Sequence, residues 1–289
     1  AKSAPRTTRF LISGENGTGK ELVAHMTHSH SQFSSGPFVA VNCAALPSEL
    51  VESELFGHTA GAFTGASKAR KGKFLEADKG TIFLDEISEM PQEAQAKILR
   101  AIETKTIMPV GSDKEQKIEC NIIAASNKDL LRLVAENKFR EDLLYRLNVV
   151  KFEIPPLRER KDDIILLAEY FLQHFANETK SAVKRLTPEA KLYLEAFDYP
   201  GNIRELKNLM ERINIYCDNE NITREDITEI LPYVPKIQIT NLKDAVSEFE
   251  KKQIEASINR HNGNISKTAK ELGLERSHLY KKMKKLGIE

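Results

Sequence analysis

Gly14-Glu15-Asn16-Gly17-Thr18-Gly19-Lys20 follows the apolar run RFLIS (9–13) and leads into a helical segment, Glu21–His28. Strand, glycine-rich turn and helix, in that order, is the setting in which GxxxxGK reads as a phosphate loop. The glycines let backbone N–H groups curl around phosphate oxygens, and the positive end of the helix adds a favourable field. Lys20 is then placed to reach the β- and γ-phosphates of a nucleotide. Glu21 stands where a Ser or Thr usually ligates Mg²⁺, and Thr18 is near but not at that position. Metal ligation therefore has to lean on other groups.

Working outward, four more apolar runs read as buried strands: FVAVN (38–42), TIFLD (81–85), NIIAAS (121–126) and VVKFEI (149–154). Each is rich in Val, Ile, Phe or Leu, and helical segments such as Gln92–Glu103 separate most of them. That alternation predicts a mostly parallel sheet with covered faces, whose ligands sit at the carboxyl ends of its strands. TIFLD runs into Glu86, so Asp85 and Glu86 fall at that edge. Asp85 is the candidate Mg²⁺ ligand, and Glu86 the candidate base that orients and deprotonates an attacking water.

After Pro155-Pro156 the character becomes helical: Asp163–Phe175, Thr187–Phe197 and Asn202–Cys217. Thr187-Pro188-Glu189 is a start signal, a capping hydroxyl before a proline at the first helical position. PYVPKIQITN (232–241) has two prolines and no helical period, and reads as a linker. From residue 242 the chain is helical again, with eleven Lys and Arg against seven Asp and Glu, whereas the whole chain of 289 residues carries only +1. Positive charge is thus concentrated in the tail. Composition, 40% hydrophobic and 29% charged, excludes a disordered chain. Three cysteines without metal spacing, no apolar run of bilayer length and no signal peptide lead to an expectation of a cytoplasmic protein that does not enter the membrane. The chain begins without methionine, almost directly in a strand, which raises the expectation of sequence upstream.

Gly61-Ala62-Phe63-Thr64-Gly65-Ala66 resembles the hallmark hexapeptide of the AAA+ activators of sigma-54 RNA polymerase. GENGTGKE (14–21), VNCAAL (41–46), ESELFGH (52–58), GTIFLDEI (80–87), FREDLLYRLNV (139–149), PPLRERKDDI (155–164) and PGNIREL (200–206) resemble the same family, so the likeness covers essentially the whole chain. GENGTGKE and ERSHLYKKMKKLGI resemble most its NtrX branch within the NtrC type. Glu21 after the lysine is usual in that family.

The resemblance implies an α/β fold: an AAA+ P-loop core with a parallel sheet (1–155), a helical lid (156–231), the linker (232–241), and an all-α Fis-type helix-turn-helix (242–289). It implies ATP and Mg²⁺ held between subunits of a hexameric or heptameric ring. Asn42 matches the residue that restrains the catalytic glutamate; its plain reading is a strand-terminal Asn making a turn. Ser126 and Asn127 match the first sensor, and Arg204 the second. Arg140 and Arg146 match the pair supplied to the neighbour's nucleotide, and each is otherwise a surface ion pair. The 61–66 loop is implied to rise and fall with nucleotide state and to grip sigma-54, Phe63 being an aromatic between small residues. Thr104–Lys117 matches a second pore-facing loop. An upstream receiver domain and a sensor kinase are implied as partners.

Asn264–Gly273 and Leu274–Lys285 read as two short helices joined at a glycine. Arg276, Ser277, His278, Lys281 and Lys282 are the candidates for contact with double-stranded DNA, and Leu279, Met283 and Leu286 for the buried face. By resemblance, residues 242–260 form a pairing helix that dimerises the domain. Two rival readings stand beside the activator. One is a DNA-binding regulator or repressor whose nucleotide site controls assembly with little turnover. The other is an unfoldase working with a protease, which a DNA-binding tail fits poorly.

Overall fold

The five apolar runs become the five strands of one sheet: β1 (Arg9–Ser13), β2 (Phe38–Asn42), β3 (Thr81–Asp85), β4 (Asn121–Ser126) and β5 (Val150–Glu153). The structure, a computed structural model, describes residues 9–231 and 250–287, without 252, 256, 259, 262 and 263 and without the side chains of 284 and 285. The chain divides into two compact units between Ile230 and Leu231.

The sheet order is β2-β3-β4-β1-β5, and every pairing is parallel. β4 is buried at all six positions, as expected for a central strand covered on both faces. Period-two alternation splits the strands between two cores. Leu11, Ile82, Leu84 and Ile122 pack on the side of helices α2 (Gln92–Thr104) and α3 (Glu141–Leu147). Phe10, Ile12, Phe83 and Ile123 pack on the opposite side with Ala24 of α1 (Lys20–Ser29). Register then fixes the working edge, because Asn42 lies across from Asp85 and Ser13 across from Ser126.

The lid comprises α4 (Asp162–Thr179), α5 (Pro188–Glu195), α6 (Asn202–Tyr216) and α7 (Arg224–Ile230). Thr187 caps α5 as its sequence requires, accepting the Ala190 N–H at 3.3 Å. α4 and α6 pack through Ile164, Ala168, Phe171 and Leu172 against Leu206, Leu209, Met210 and Ile213, all buried.

The second unit is helical from Glu250 towards Arg260 and then forms α8 (Ile265–Glu271) and α9 (Arg276–Leu286). Asn264 caps α8 through the Lys267 N–H. The second helix starts two residues later than the sequence predicts. Gly273, at φ +62°, turns the chain so that the Leu274 N–H bonds back to Ala269 O at 2.9 Å, and Leu274 joins the core of Ile254, Ala269, Leu279 and Met283. The expected linker 232–241, and the pairing helix before Glu250, lie outside the described residues. Among those described, no helix is long and apolar enough to cross a membrane.

Burial pushes the thiols of Cys43 and Cys120 up to about 12, with Asp85 and Glu86 adding to the effect at Cys43 and Asp78 at Cys120. A thiol held that high forms little thiolate. We expect Cys43 and Cys120 in the native protein to react with a disulfide reagent at mildly alkaline pH only slowly, and all three cysteines to react together in denaturant. Rapid native labelling of Cys43 would contradict its placement behind the sheet edge.

Candidate functional site

The phosphate loop joins β1 to α1 at the sheet's carboxyl edge. Gly19, at φ +98°, is the residue from which α1 starts, and Gly17 is at φ +76°. The Gly14 N–H donates to Ser126 O at 3.2 Å, fixing the loop to the neighbouring strand. Lys20 is buried, and its ammonium donates to Gly14 O and Glu15 O at 3.0 Å each. Desolvation lowers the Lys20 pKa, and the charges of Asp85 and Glu86 oppose that fall, while Arg204 adds to it. The structure therefore brings Lys20, Asp85, Glu86 and Arg204 into one electrostatic neighbourhood. Thr18 turns its hydroxyl into Glu15 O at 2.8 Å. Glu21 points outward in the first turn of α1, 4.0 Å from His25.

Lid residues grip this loop from the other side. Arg158 holds the Glu15 carboxylate with two bonds of 2.8 and 2.6 Å. Asn202, fully buried, donates to Glu15 at 3.1 Å and to Asn16 O at 3.0 Å, and accepts the Leu157 N–H at 2.7 Å. Arg160 donates to Thr18 O at 3.0 Å, and the Ile203 N–H to Gly17 O at 2.9 Å. A Cβ on Gly17 would lie 2.2 Å from Gly201 O, so only glycine fits. Arg204 is exposed beside the same glycine, its Cβ 3.1 Å from that position. Arg158, Arg160 and Asn202 were not legible in the sequence as loop-holding residues. Nothing in their spacing marks them, because their partners lie more than 140 positions away.

Glu86 stands at φ +53°, ψ +44°, a conformation costing a non-glycine residue roughly 1–2 kcal/mol. Its N–H donates to Asp85 Oδ1 at 3.0 Å. Such backbone at a strand end is the kind found at working sites. Asn42 uses its side-chain oxygen to cap residues 43–45, at 2.9 and 3.2 Å, which is its plain reading and leaves its amide nitrogen for another partner. The Ser126 hydroxyl is engaged with the backbone of Lys128. Asn127 Oδ1 is buried without a hydrogen bond, and Asn127 lines a cavity of about 800 Å³ together with Ser13, Gly14, Glu15, Ser126 and Arg158. Orphaned polar atoms are rare in folded proteins and mark places where a ligand or water completes the set.

Arg140 and Arg146 are exposed and lie apart from the loop's own hydrogen-bond network. Arg140 pairs with Asp142 at 2.7 Å and Arg146 with Glu103 at 2.9 Å. Within one subunit both are surface ion pairs.

The 61–66 hexapeptide forms a loop between the paired segments Gly57–His58 and Arg70–Lys71. It is closed by Gly61 N–H to Ala66 O at 2.7 Å. Gly61 (φ +81°) and Gly65 (φ +101°) face open space, with nothing within 4 Å of either Cβ position. Ala66 is buried and Phe63 is 38% exposed, its ring edge-on to His58 at 5.0 Å. Thr64 stands with it on the loop's exposed arc, and Ala62 is half-buried. The second loop packs beneath: Thr59 bonds to Val110 O at 3.0 Å, and a Cβ on Gly111 would meet Ala62 at 2.8 Å.

In the second unit Leu279 and Met283 are buried, and Arg276, Ser277, His278 and Lys281 are exposed on α9. Lys282 is half-buried and paired with Glu250 at 2.6 Å, which turns it from the exposed row.

ATP fits this site: the loop's N–H groups and a lysine now resting on backbone carbonyls are what a triphosphate would engage, and the orphaned Asn127 Oδ1 would accept from a water or hydroxyl beside it. Among the described residues no three His, Cys, Asp or Glu side chains form a metal cage. Mg²⁺ at phosphates ordinarily uses one or two carboxylates plus phosphate oxygens and water, and Asp85 beside Lys20 suits that pattern.

Sheet order, loop and lid define the chain as an AAA+ P-loop module joined to a helix-turn-helix unit. The family models agree: "Sigma-54 interaction domain" matches residues 1–153, "AAA+ ATPase lid domain" 158–244, and "Bacterial regulatory protein, Fis family" 245–286. The chain belongs to the family of sigma-54-dependent transcriptional activators. It is 43% identical to the regulatory protein AtoC of Escherichia coli, over 100% of this chain and 65% of AtoC. It is 45% identical to the transcriptional regulatory protein ZraR of the same organism, over 97% of this chain and 64% of ZraR. Among solved structures, NtrX from Brucella abortus in complex with ADP matches with a TM-score of 0.77 at 38% identity, covering 99% of this chain and 66% of that one. A reconstruction of Hsp104 with ATPγS and casein shares the fold at 18% identity and a TM-score of 0.54, over 75% of this chain and 43% of that one. The chain thus spans about two thirds of the length of AtoC, ZraR and NtrX.

Arg158, and after it Asn202, hold the Glu15 carboxyl down at about 2 from its ordinary 4.5. A carboxyl whose folded pKa is depressed stabilises the fold above its unfolded pKa, and that contribution is lost as pH falls from about 4.5 through about 2. We expect Glu15→Gln to melt below wild type at neutral pH, by a small margin because the pair is partly exposed, with the gap narrowing on acidification and in high salt. Identical melting curves at neutral pH and low salt would remove the grip as a stabilising feature.

Proposed function

We propose that this chain hydrolyses ATP at Lys20, Asp85 and Glu86 between subunits of a ring, and uses turnover to drive the 61–66 loop against sigma-54 in RNA polymerase. One observation carries the reading. A single chain holds a phosphate site with Glu86 at its edge and a glycine-bounded loop presenting Phe63, and α2, which begins just past Glu86, runs into the second loop on which the 61–66 loop sits.

On binding, the triphosphate takes the Lys20 ammonium from Gly14 O and Glu15 O and engages the N–H groups of Gly17, Thr18 and Gly19, with Asn16 and Glu21 flanking them. Asp85 would hold Mg²⁺, which supplies charge neutralisation at the phosphates. Glu86 aligns a water with the terminal phosphate and takes its proton, and Asn42 restrains Glu86 through its amide nitrogen until the nucleotide changes. Asn127 reads the terminal phosphate, and Arg204 follows it from the lid. Arg140 and Arg146 exchange Asp142 and Glu103 for the neighbour's nucleotide, where a guanidinium stabilises charge on the transferring group. Hexamer or heptamer, the ring requires that exchange for turnover.

The tail places the ring on DNA. Arg276, Ser277, His278 and Lys281 meet base edges and phosphates of an enhancer-like duplex site, and Lys282 joins them by leaving Glu250; the tails pair as dimers. The division 1–155, 156–231, 232–241 and 242–289 follows these roles. An upstream receiver answering a sensor kinase fits a relative 42% identical, the response regulator protein PilR of Pseudomonas aeruginosa. DNA and polymerase as partners place the work in the cytoplasm.

Glu86→Ala is expected to bind ATP but to lose turnover on the order of a hundredfold or more, together with open-complex formation in a purified sigma-54 transcription assay. Open complexes at the wild-type rate would favour the assembly-controlled regulator instead. Phe63→Ala should keep ATP turnover and lose activation; equal loss of both would point to a folding defect. Arg140→Ala should retain nucleotide binding and lose turnover, and full activity would dismiss the trans-acting arginine.

A further inference from the structure

Gln95 lies in the first turn of α2 and has no exposed surface. Both amide hydrogens and the carbonyl oxygen of its side chain are used. It donates to Met90 O at 2.8 Å and to Lys138 O at 3.1 Å, and it accepts the Arg140 N–H at 2.9 Å. Met90 closes the short turn, Ile87–Glu89, that opens at Glu86 in its left-handed conformation. Arg140 is the residue immediately before α3. One side chain thus joins the end of the Glu86 turn to the backbone of Arg140, across 45 positions of sequence.

A second bond reinforces the joint from outside: exposed Gln92 donates to Asn137 O, and Asn137 sits at φ +55°. The far end of α2 holds the other arginine, through Glu103 to Arg146. The guanidinium of Arg140 is exposed and, among the described residues, pairs with Asp142, so Gln95 governs where its backbone starts and not what its head binds.

We propose that Gln95 is a positioning residue for Arg140. It carries the state of a subunit's own Glu86 turn to the arginine that the subunit presents to its neighbour. The inference rests on the proposed trans role of Arg140 and extends it. A displacement of the Met90 carbonyl cannot occur without disturbing either the Lys138 or the Arg140 bond, because a buried amide has no water to replace a lost partner. Misplacing a catalytic group by about 1 Å costs on the order of a hundredfold, so a short shift of this joint suffices to switch the neighbour's site.

The test uses Gln95→Met, which keeps side-chain length and removes all three bonds. Expected are ATP KM within about twofold of wild type and a fall in kcat of about tenfold or more. Mixing then separates positioning from general damage. A Glu86→Gln subunit has a dead pocket and a sound arginine, and Arg140→Ala the reverse, so the two dead chains mixed should regain turnover. Gln95→Met mixed with Glu86→Gln should regain it to the same degree, because the Gln95→Met pocket is intact and receives a sound arginine. Wild-type turnover by Gln95→Met alone, or no recovery where the Arg140→Ala mixture recovers, overturns the proposal. No recovery in the Arg140→Ala mixture removes the trans arginine itself, and the proposal with it. If Gln95→Met shows no cooperative melt, Gln92→Ala decides, since it loosens the same segment without opening the core. A smaller loss of kcat that mixing restores supports the proposal, and unchanged kcat or an unrestored loss refutes it.

Discussion

The grip on the phosphate loop is the constraint from which the rest of the first unit takes its reference. Gly14 is tied to Ser126 on the sheet, and Glu15, Asn16, Gly17 and Thr18 are each tied to lid residues. Asn202 makes this possible. It is fully buried, satisfies both sides of its amide, and takes a positive φ of 53° that asparagine tolerates better than most residues. A buried amide with all its partners defines one geometry, because losing any of them leaves a polar atom without water. Lid position and loop position are therefore one variable, and a change at the phosphates reaches α6 directly.

Lys20, Arg140 and Arg146 are each paired from within the subunit. Lys20 rests on two carbonyls of its own loop, Arg140 on Asp142, Arg146 on Glu103. On the proposed mechanism, nucleotide and neighbour would take the place of these partners. For Lys20, burial makes the exchange matter, since a desolvated ammonium gains from phosphate oxygens what weak carbonyl contacts supply poorly. The exposed arginines give up little, because solvent-screened ion pairs contribute little.

Glycine serves two opposite ends here. In the phosphate loop Gly17 is glycine because Gly201 O leaves no room for a Cβ. In the 61–66 loop Gly61 and Gly65 have open space and positive φ, so what glycine supplies there is backbone freedom. The first packs the loop to its lid; the second gives backbone freedom to the segment that carries Phe63, whose ring is edge-on to His58. Glu86 shows a third use of the same backbone region, taken by a charged residue at the end of an otherwise regular strand.

The sequence by itself determined the five strands, almost to the residue, because each is a short apolar run ended by a polar one and the central ones are buried on both faces. It determined the phosphate loop, the Asp85-Glu86 pair and the two helices at the tail, because local chemistry writes those features within a few residues, whereas the loop 61–66 was marked by its resemblance to a family hexapeptide. Only the tertiary structure decided what meets what. Glu15 with Arg158 and Asn202, Gln95 with Arg140, and Arg146 with Glu103 join positions 43 to 187 apart. Hydrogen bonds depend on where the backbone carries each group, and a single chain's spacing holds no record of that. The start of α9 was displaced for the same reason: burial of Leu274 beside Ala269 outweighed the helical pattern that local sequence displays.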